Sequence, residues 1–390
     1  MYHGRSWAAI AYDVGMGKEP WRSIAAGLSD SPVVKLNVTQ ARESPCLTCS
    51  GAPCCTFLPL FEFRVNHMRQ LDHAIYLLNF DRIELGLSAS GTWSVYYRYP
   101  CRFLDRDRFL CGLHGTPEQP RICVHYNPFT CWYKKTLTRS VTDEFLRIDR
   151  ARMAFIVDRV KLDDARNLVE VPDWDLLVSE LARLPSEPEP QDGGEPGADP
   201  IFDAWKQEVL ASPAEPPRRK QLSVWSPPTD PSARKLRAWS ELADPCDGCS
   251  APCCTTLTFP HSPPTSYANV DYIKFALGFP GIELGVSDRG WSLIVKTRCR
   301  YLDGNRCGVY DQPERPLLCK YFDASRCDYK PQFGVPRPEG YVRVRLEQFS
   351  ALVAGFAFDD TGLVRRLPTT DEIRARIEDG WRAATREGAG

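Results

Sequence analysis

The 16 cysteines of this 390-residue chain divide into two sets of eight in one order. Cys46, Cys49, Cys54, Cys55, Cys101, Cys111, Cys123 and Cys131 make the first set. Cys246, Cys249, Cys253, Cys254, Cys299, Cys307, Cys319 and Cys327 make the second. Each opens with CxxC and a CC pair and closes with four single cysteines. Thiolates bind soft and borderline cations, chiefly zinc and iron in clusters. Two residues between cysteines let both sulfurs turn onto one metal, so CxxC is a chelating half-site that needs a second pair from elsewhere. Neighbouring side chains point apart in extended backbone. The CC pair is therefore expected to divide, one thiol joining the CxxC and the other facing the later cysteines. All sixteen are candidate metal ligands. Eight thiols allow two four-coordinate sites or one cluster with spare thiols, and the spacing leaves that choice open.

A four-thiolate zinc site or an oxidised [4Fe–4S] cluster carries about −2 overall. Burying that charge needs donors or cations. Arg98, Arg102 and Arg121 stand near the first cysteines in sequence, and Arg298, Arg300, Arg306, Arg315 and Lys320 near the second. The competing reading, a disulfide framework, is disfavoured because each repeat is long enough for its own core and the chain shows no export signal.

The elements that position these residues repeat as well. IELGLSASGTWS matches IELGVSDRGWS with a one-residue gap, PCRFLDRDRFLCGLH matches RCRYLDGNRCGVY, and TPEQPRICVHYNPFTCWYK matches QPERPLLCKYFDASRCDYK. Two tandem domains follow, at 46–185 and 246–385, after an N-terminal extension at 1–45 and joined by a Pro-rich linker at 186–245. SEPEPQDGGEPGADP within that linker has no base and reads as solvated chain, with a short helical pattern at 201–210. Segments 65–80 and 266–279 read as helices, and 93–99 and 291–297 as strands of hairpins. Pro117-Glu118 and Pro313-Glu314 read as starts of short helices carrying Cys123 and Cys319. Segments 145–160 and 341–356 show helical spacing of apolar residues. The expected class is α+β: two small cysteine-rich metal-binding domains with short helices, β-hairpins and long loops.

Composition narrows the function classes. A formal net charge of −1 gives no electrostatic reason to expect nucleic acid. The apolar run AAIAY near the N-terminus is too short for a signal peptide's core or a membrane span, so a cytoplasmic location without a membrane partner is expected. Gly15-Met16-Gly17 lacks the third glycine of a dinucleotide fingerprint.

CLTCSGAPCC and CDGCSAPCC are each followed by a CRFLD or CRYLD segment, a C-G segment and a P-E-x-P-x-x-C segment. With these features the chain resembles the zinc- or iron-chelating CxxCxxCC family, also called YkgJ-like, in two tandem copies. The second repeat is the closer match. The resemblance covers about the first 90 residues of each repeat and takes in all eight cysteines. It implies a metal-binding domain holding an iron–sulfur cluster, [4Fe–4S] foremost, or zinc or iron. A distant branch, flagellin lysine N-methylase, adds a second expectation: a modifying enzyme acting on a protein or peptide with S-adenosylmethionine. A thiol-rich metal store or chaperone is a third. The first repeat departs from the second in an extra residue between CxxC and CC, in Gln119 where the second has Arg315, and in His114 and His125 where the second has Tyr310 and Tyr321.

The remaining candidates read more plainly. His114 and His125 are within ligand range of Cys111 and Cys123 in sequence, but the matching tyrosines favour packing. His67 and His73 read as surface residues of a helix. Trp93 and Trp291 read as core anchors. Asp105 and Asp303 read as turn formers, and Asp163-Asp164 and Asp359-Asp360 as capped loops between helices.

Overall fold

The computed structural model describes residues 38–49, 51–107, 109–116, 118–124, 126–186, 249–310, 312, 315–320, 322, 327, 329–333 and 338–387. Cys246, His125, Tyr321, both Pro-Glu prolines and the 201–210 pattern lie outside these residues.

Each repeat forms one four-stranded antiparallel sheet. In the first, β1 (Phe57–Phe63), β2 (Ile83–Ser88), β3 (Trp93–Arg98) and β4 (Phe145–Ile148) lie in the order β1-β3-β2-β4. In the second, β5 (Thr256–His261), β6 (Ile282–Ser287), β7 (Gly290–Lys296) and β8 (Tyr341–Val344) lie in the matching order β5-β7-β6-β8. The one-residue gap between the repeats falls in the β2–β3 turn, outside the ladder, so both hairpins keep their register. The glycine of IELG has a steric reason. A Cβ on Gly86 would overlap the Phe145 ring, and one on Gly285 would overlap Tyr341.

The helical reading of 145–160 and 341–356 is corrected. The first four residues of each window add to the sheet as β4 and β8. Helix begins only afterwards, at Arg150–Val157, and at Phe349–Val353 after a short 3-10 turn. An open strand edge on β2 and β6 captures the β-prone residues, and tertiary pairing overrides local periodicity. Asp149 then caps the new helix, its carboxylate accepting from Arg152 N at 3.0 Å.

The 65–80 and 266–279 helices are present as α1 (Met68–Leu77) and α3 (Tyr267–Leu277). His67 caps α1 through Nδ1, which accepts from Arg69 N at 3.0 Å, and Ser266 caps α3. His73 is half-buried rather than fully on the surface. It packs against Phe61, Phe63 and Tyr76, and burial pushes its pKa down to about 4. Two short helices, α2 (Arg121–Val124) and α4 (Leu317–Lys320), carry Cys123 and Cys319. Trp93 and Trp291 are buried in the core.

One hydrophobic cluster runs through both repeats, joining Leu60, Leu77 and Val95 to Phe259, Ile273 and Val295. Phe61 meets Phe259 across the junction with ring centroids 5.3 Å apart. Tyr97 OH donates to Pro280 O at 2.7 Å, and Tyr272 OH donates to Pro59 O at 3.0 Å. The backbone crosses in matched fashion: Arg102 N donates to Gly278 O at 3.0 Å and Arg300 N to Asn79 O at 2.8 Å. The repeats thus meet about a pseudo-twofold axis, with the same surface used on both sides. Among the described residues no helix is long and apolar enough to cross a membrane.

Candidate functional site

The CC pair is reached in each repeat through a strained turn. Ala52 and Ala251 hold left-handed backbone, φ 39° and 51°, immediately before the Pro-Cys-Cys segment. Left-handed backbone costs an L-residue about 1–2 kcal/mol. Its recurrence in the two repeats marks a conformation imposed by the surroundings. Cys55 N and Cys254 N then close on the carbonyls of Ala52 and Ala251, at 2.8 and 2.9 Å. The next segment is tied on by matched bonds, Cys101 N to Cys55 O and Cys299 N to Cys254 O, both 2.7 Å. Two-residue ribbons bring Cys111 opposite Leu104 and Cys307 opposite Leu302.

The thiols sort into sets. Cys55, Cys101, Cys111 and Cys123 line one cavity of about 260 Å³, together with apolar side chains such as Phe103 and Leu113. Burial raises the Cys123 thiol first, and the nearby thiols of Cys54, Cys111 and Cys101 raise it further, along with Asp271. Cys46 and Cys49 are likewise raised first by burial, then by Cys54 and Cys131. Cys55 lines the cavity, while Cys54 acts on thiols of both groups, on Cys46 and Cys49 and on Cys123 and Cys101. The pair sits in a helical turn, not in the extended backbone expected to separate it. The two sulfurs of the pair are 3.9 Å apart. That shared hydrogen bond lowers the Cys54 pKa and raises that of Cys55.

The outer set is held by local donors. Cys131 Sγ accepts from Tyr126 OH and Lys134 N, both at 3.2 Å. Lys134 Nζ reaches back to Pro45 O at 2.8 Å and Thr48 Oγ1 at 3.2 Å, pinning the CxxC loop.

The second repeat reproduces the inner set. Its backbone frame is the same: Cys299 N is bound to Cys254 O, Cys307 stands opposite Leu302, and α4 carries Cys319. The Cys253 hydrogen bond and burial raise the Cys254 thiol, and burial first, then Cys299 and Cys307, raise that of Cys319. Burial is the first cause for Cys299, pushed up to about 11. Of the outer set, Cys253 and Cys327 both act on Tyr329, Cys249 is half-buried, and Cys246 lies outside the described residues. No disulfide joins the fifteen described cysteines.

The other expected residues are placed as follows. Arg98 pairs with Glu84 and Arg102 with Glu347. Arg298 donates to Leu302 O at 2.6 Å. Arg315 stands among the thiols: it donates to Cys319 O at 2.7 Å and favours the charged forms of Cys253 and Cys319. His114 is exposed. Asp105 accepts from Asp107 N in a turn. Asp163 and Asp359 close loops that join short strands rather than helices.

Sequence reasoning misses the residues that each repeat lends to the other. Asp271 on α3 accepts from Arg121 N at 3.0 Å and Ile122 N at 2.9 Å, the first turn of α2. Asp72 on α1 accepts from Leu317 N and Leu318 N, both at 3.2 Å, the first turn of α4. A carboxylate satisfies two unpaired amides and the positive end of the helix at once. Each thiol-bearing helix is thus capped from the opposite repeat. Lys274, Phe275, Gly278 and Leu346 of the second repeat also wall the first-repeat cavity. The recurrence of Asp at the same offset before Phe80 and Phe279 is visible in the sequence, but its target is not.

Among the described residues no group of three or more His, Cys, Asp or Glu side chains is arranged to hold a single metal ion. One zinc would need four sulfurs about 2.3 Å from it and about 3.8 Å from one another. Thiols spread around a cavity wider than one ion suit a group in which each metal atom takes its own thiolate. No protein family, curated protein or solved structure matches this chain.

Proposed function

We propose that this chain is an iron–sulfur protein with a cluster of the [4Fe–4S] type in the inner thiol set of each repeat. Cys55, Cys101, Cys111 and Cys123 are the ligands in the first, and Cys254, Cys299, Cys307 and Cys319 in the second. The observation that carries this reading is the convergence of four thiols from separate segments on one apolar cavity. The backbone that carries the same four positions is repeated in the second repeat. The donor set is all sulfur, as such clusters require. The buried Asn79 Nδ2 and Arg315 Nε have no hydrogen-bond partner, and both residues lie beside second-repeat thiol segments, so donors stand ready for sulfur acceptors. The resemblance of the cysteine pattern to the CxxCxxCC family supports the same reading.

A cluster held there supplies one-electron chemistry. The chain's own residues shape its setting. Asp72 and Asp271 fix the helices that present Cys319 and Cys123, and Phe103, Phe275 and Leu346 give the first-repeat thiols an apolar wall. Tyr126 and Lys134 hold the outer thiol of Cys131 and the CxxC loop.

Anaerobic purification followed by iron and acid-labile sulfide analysis tests the proposal. Iron and sulfide together are expected, with Cys123→Ala and Cys319→Ala each removing part of both. Zinc without sulfide would end the cluster reading.

A further inference from the structure

Because each inner site is walled partly by the other repeat, matched positions compare the two sites directly. The first-repeat site faces Phe275, Gly278 and Leu346 from the second repeat, with its own Phe103. A Cβ on Gly278 would lie only 3.5 Å from Cys101 Sγ, so no side chain stands between that backbone and the sulfur. The residues that align with these on the second-repeat side are Tyr76, Asn79, Arg150 and Tyr301.

Those four differ in kind. Tyr76 sits near the thiols of Cys319, Cys299 and Cys254, and its phenol is kept protonated by burial. Asn79 is 1 % exposed and accepts from the Arg150 guanidinium through Oδ1, while its Nδ2 has no partner. Arg150 is 3 % exposed, and its other amino nitrogen is 3.3 Å from Tyr301 OH. A fifth difference lies within the repeats. Arg315 grips Tyr310 O and Cys319 O at 3.1 and 2.7 Å, where the first repeat has Gln119, which accepts from Gly115 N. Asp72 and Asp271 act alike on the two sites and cancel. Two charges act the other way and are outweighed by these tyrosine, asparagine and arginine donors: Lys274 is a cation on the first-repeat side where the second has Ile75, partly offset by Asp271 on the same helix, and Asp81 is a carboxylate near Cys299 where the first-repeat side has Pro280.

A cluster held by four thiolates is anionic and becomes more so on reduction. Cations and N–H or O–H donors around it stabilise the added electron, whereas an apolar wall does not. We propose that the second-repeat inner site has the higher reduction potential, so that the chain takes up electrons there first and at the first-repeat site second. Tyr76, Asn79, Arg150 and Arg315 are the residues that set the difference. This rests on the cluster reading of the preceding subsection.

Anaerobic potentiometric titration of the full chain tests it, with the inner sites assigned through Cys101→Ala and Cys299→Ala. Two resolved one-electron steps are expected from the inner sites, with an electron favouring the second-repeat site at least ~tenfold, about 59 mV. Arg315→Gln should lower the upper step and leave the lower one in place. Phe103→Tyr, which copies Tyr301 into the first repeat and barely changes volume, should raise the lower step. Iron and sulfide with a single shared potential, or an upper step assigned to the first repeat, would overturn the inequality and leave the cluster reading standing. A chain without iron and sulfide would end both, and metal analysis reveals that before any titration.

Discussion

At the scale of single residues, the cysteines are legible because thiols are chemically distinct and their order repeats. Histidines are not, because one imidazole looks the same on a surface or in a core. The helical pattern alone puts His73 on a surface, and it is half-buried against aromatic rings. His261 shows what such burial does. Its Nδ1 donates to Ser262 O at 2.6 Å, while Nε2 is buried without a partner. Burial pushes its pKa down to about 4 from an ordinary 6.5. As pH falls, the unfolded chain takes up this proton near 6.5 and the native chain only near 4. Its stabilising effect is therefore complete above about pH 6.5 and is lost between there and about pH 4. Phe63 occupies the matching register, opposite Trp93 as His261 is opposite Trp291. His261→Phe should flatten the drop in urea midpoint between about pH 7 and about pH 5. An unchanged drop would assign the pH dependence to other groups.

At the scale of elements, α1 and α3 are legible from their periodicity, and the hairpins from β-prone residues after turns. The windows at 145–160 and 341–356 mislead because their first residues fit either period, and only the open edges of β2 and β6 decide the matter. The reciprocal caps give this scale its sharpest prediction. Asp72→Ala should expose the amides of Leu317 and Leu318 in the opposite repeat while leaving those of Arg121 and Ile122 protected. Asp271→Ala should do the converse. Each loss should cost about 1–2 kcal/mol, the usual worth of a helix cap. Amide hydrogen exchange reads both. An effect confined to the mutated repeat would contradict the crosswise capping.

At the scale of the whole molecule, the sequence shows two repeats and a connection between them, and the packing makes the pair one body. Leu60 and Val95 share a core with Phe259 and Ile273, and backbone bonds cross the junction in both directions. A protease site inserted between residues 187 and 248 should therefore be cut without separating the halves. After cleavage the two fragments should elute together on size exclusion and melt in one transition. Separate elution under native conditions would show that the shared core is too weak to hold them.

The sequence alone showed the candidate ligands: sixteen thiols in two equal orders. It also determined the α+β class, since alternating and helical periods both occur in each repeat. Only the tertiary structure decided which thiols share a space, because Cys55, Cys101, Cys111 and Cys123 are brought together by long-range backbone bonds that no local signal encodes. It alone decided that each repeat completes the other's site, through Asp72 and Asp271. The reason is physical: a helix end needs a partner for its unpaired amides, but the chain leaves open which distant carboxylate will supply it until the two halves pack.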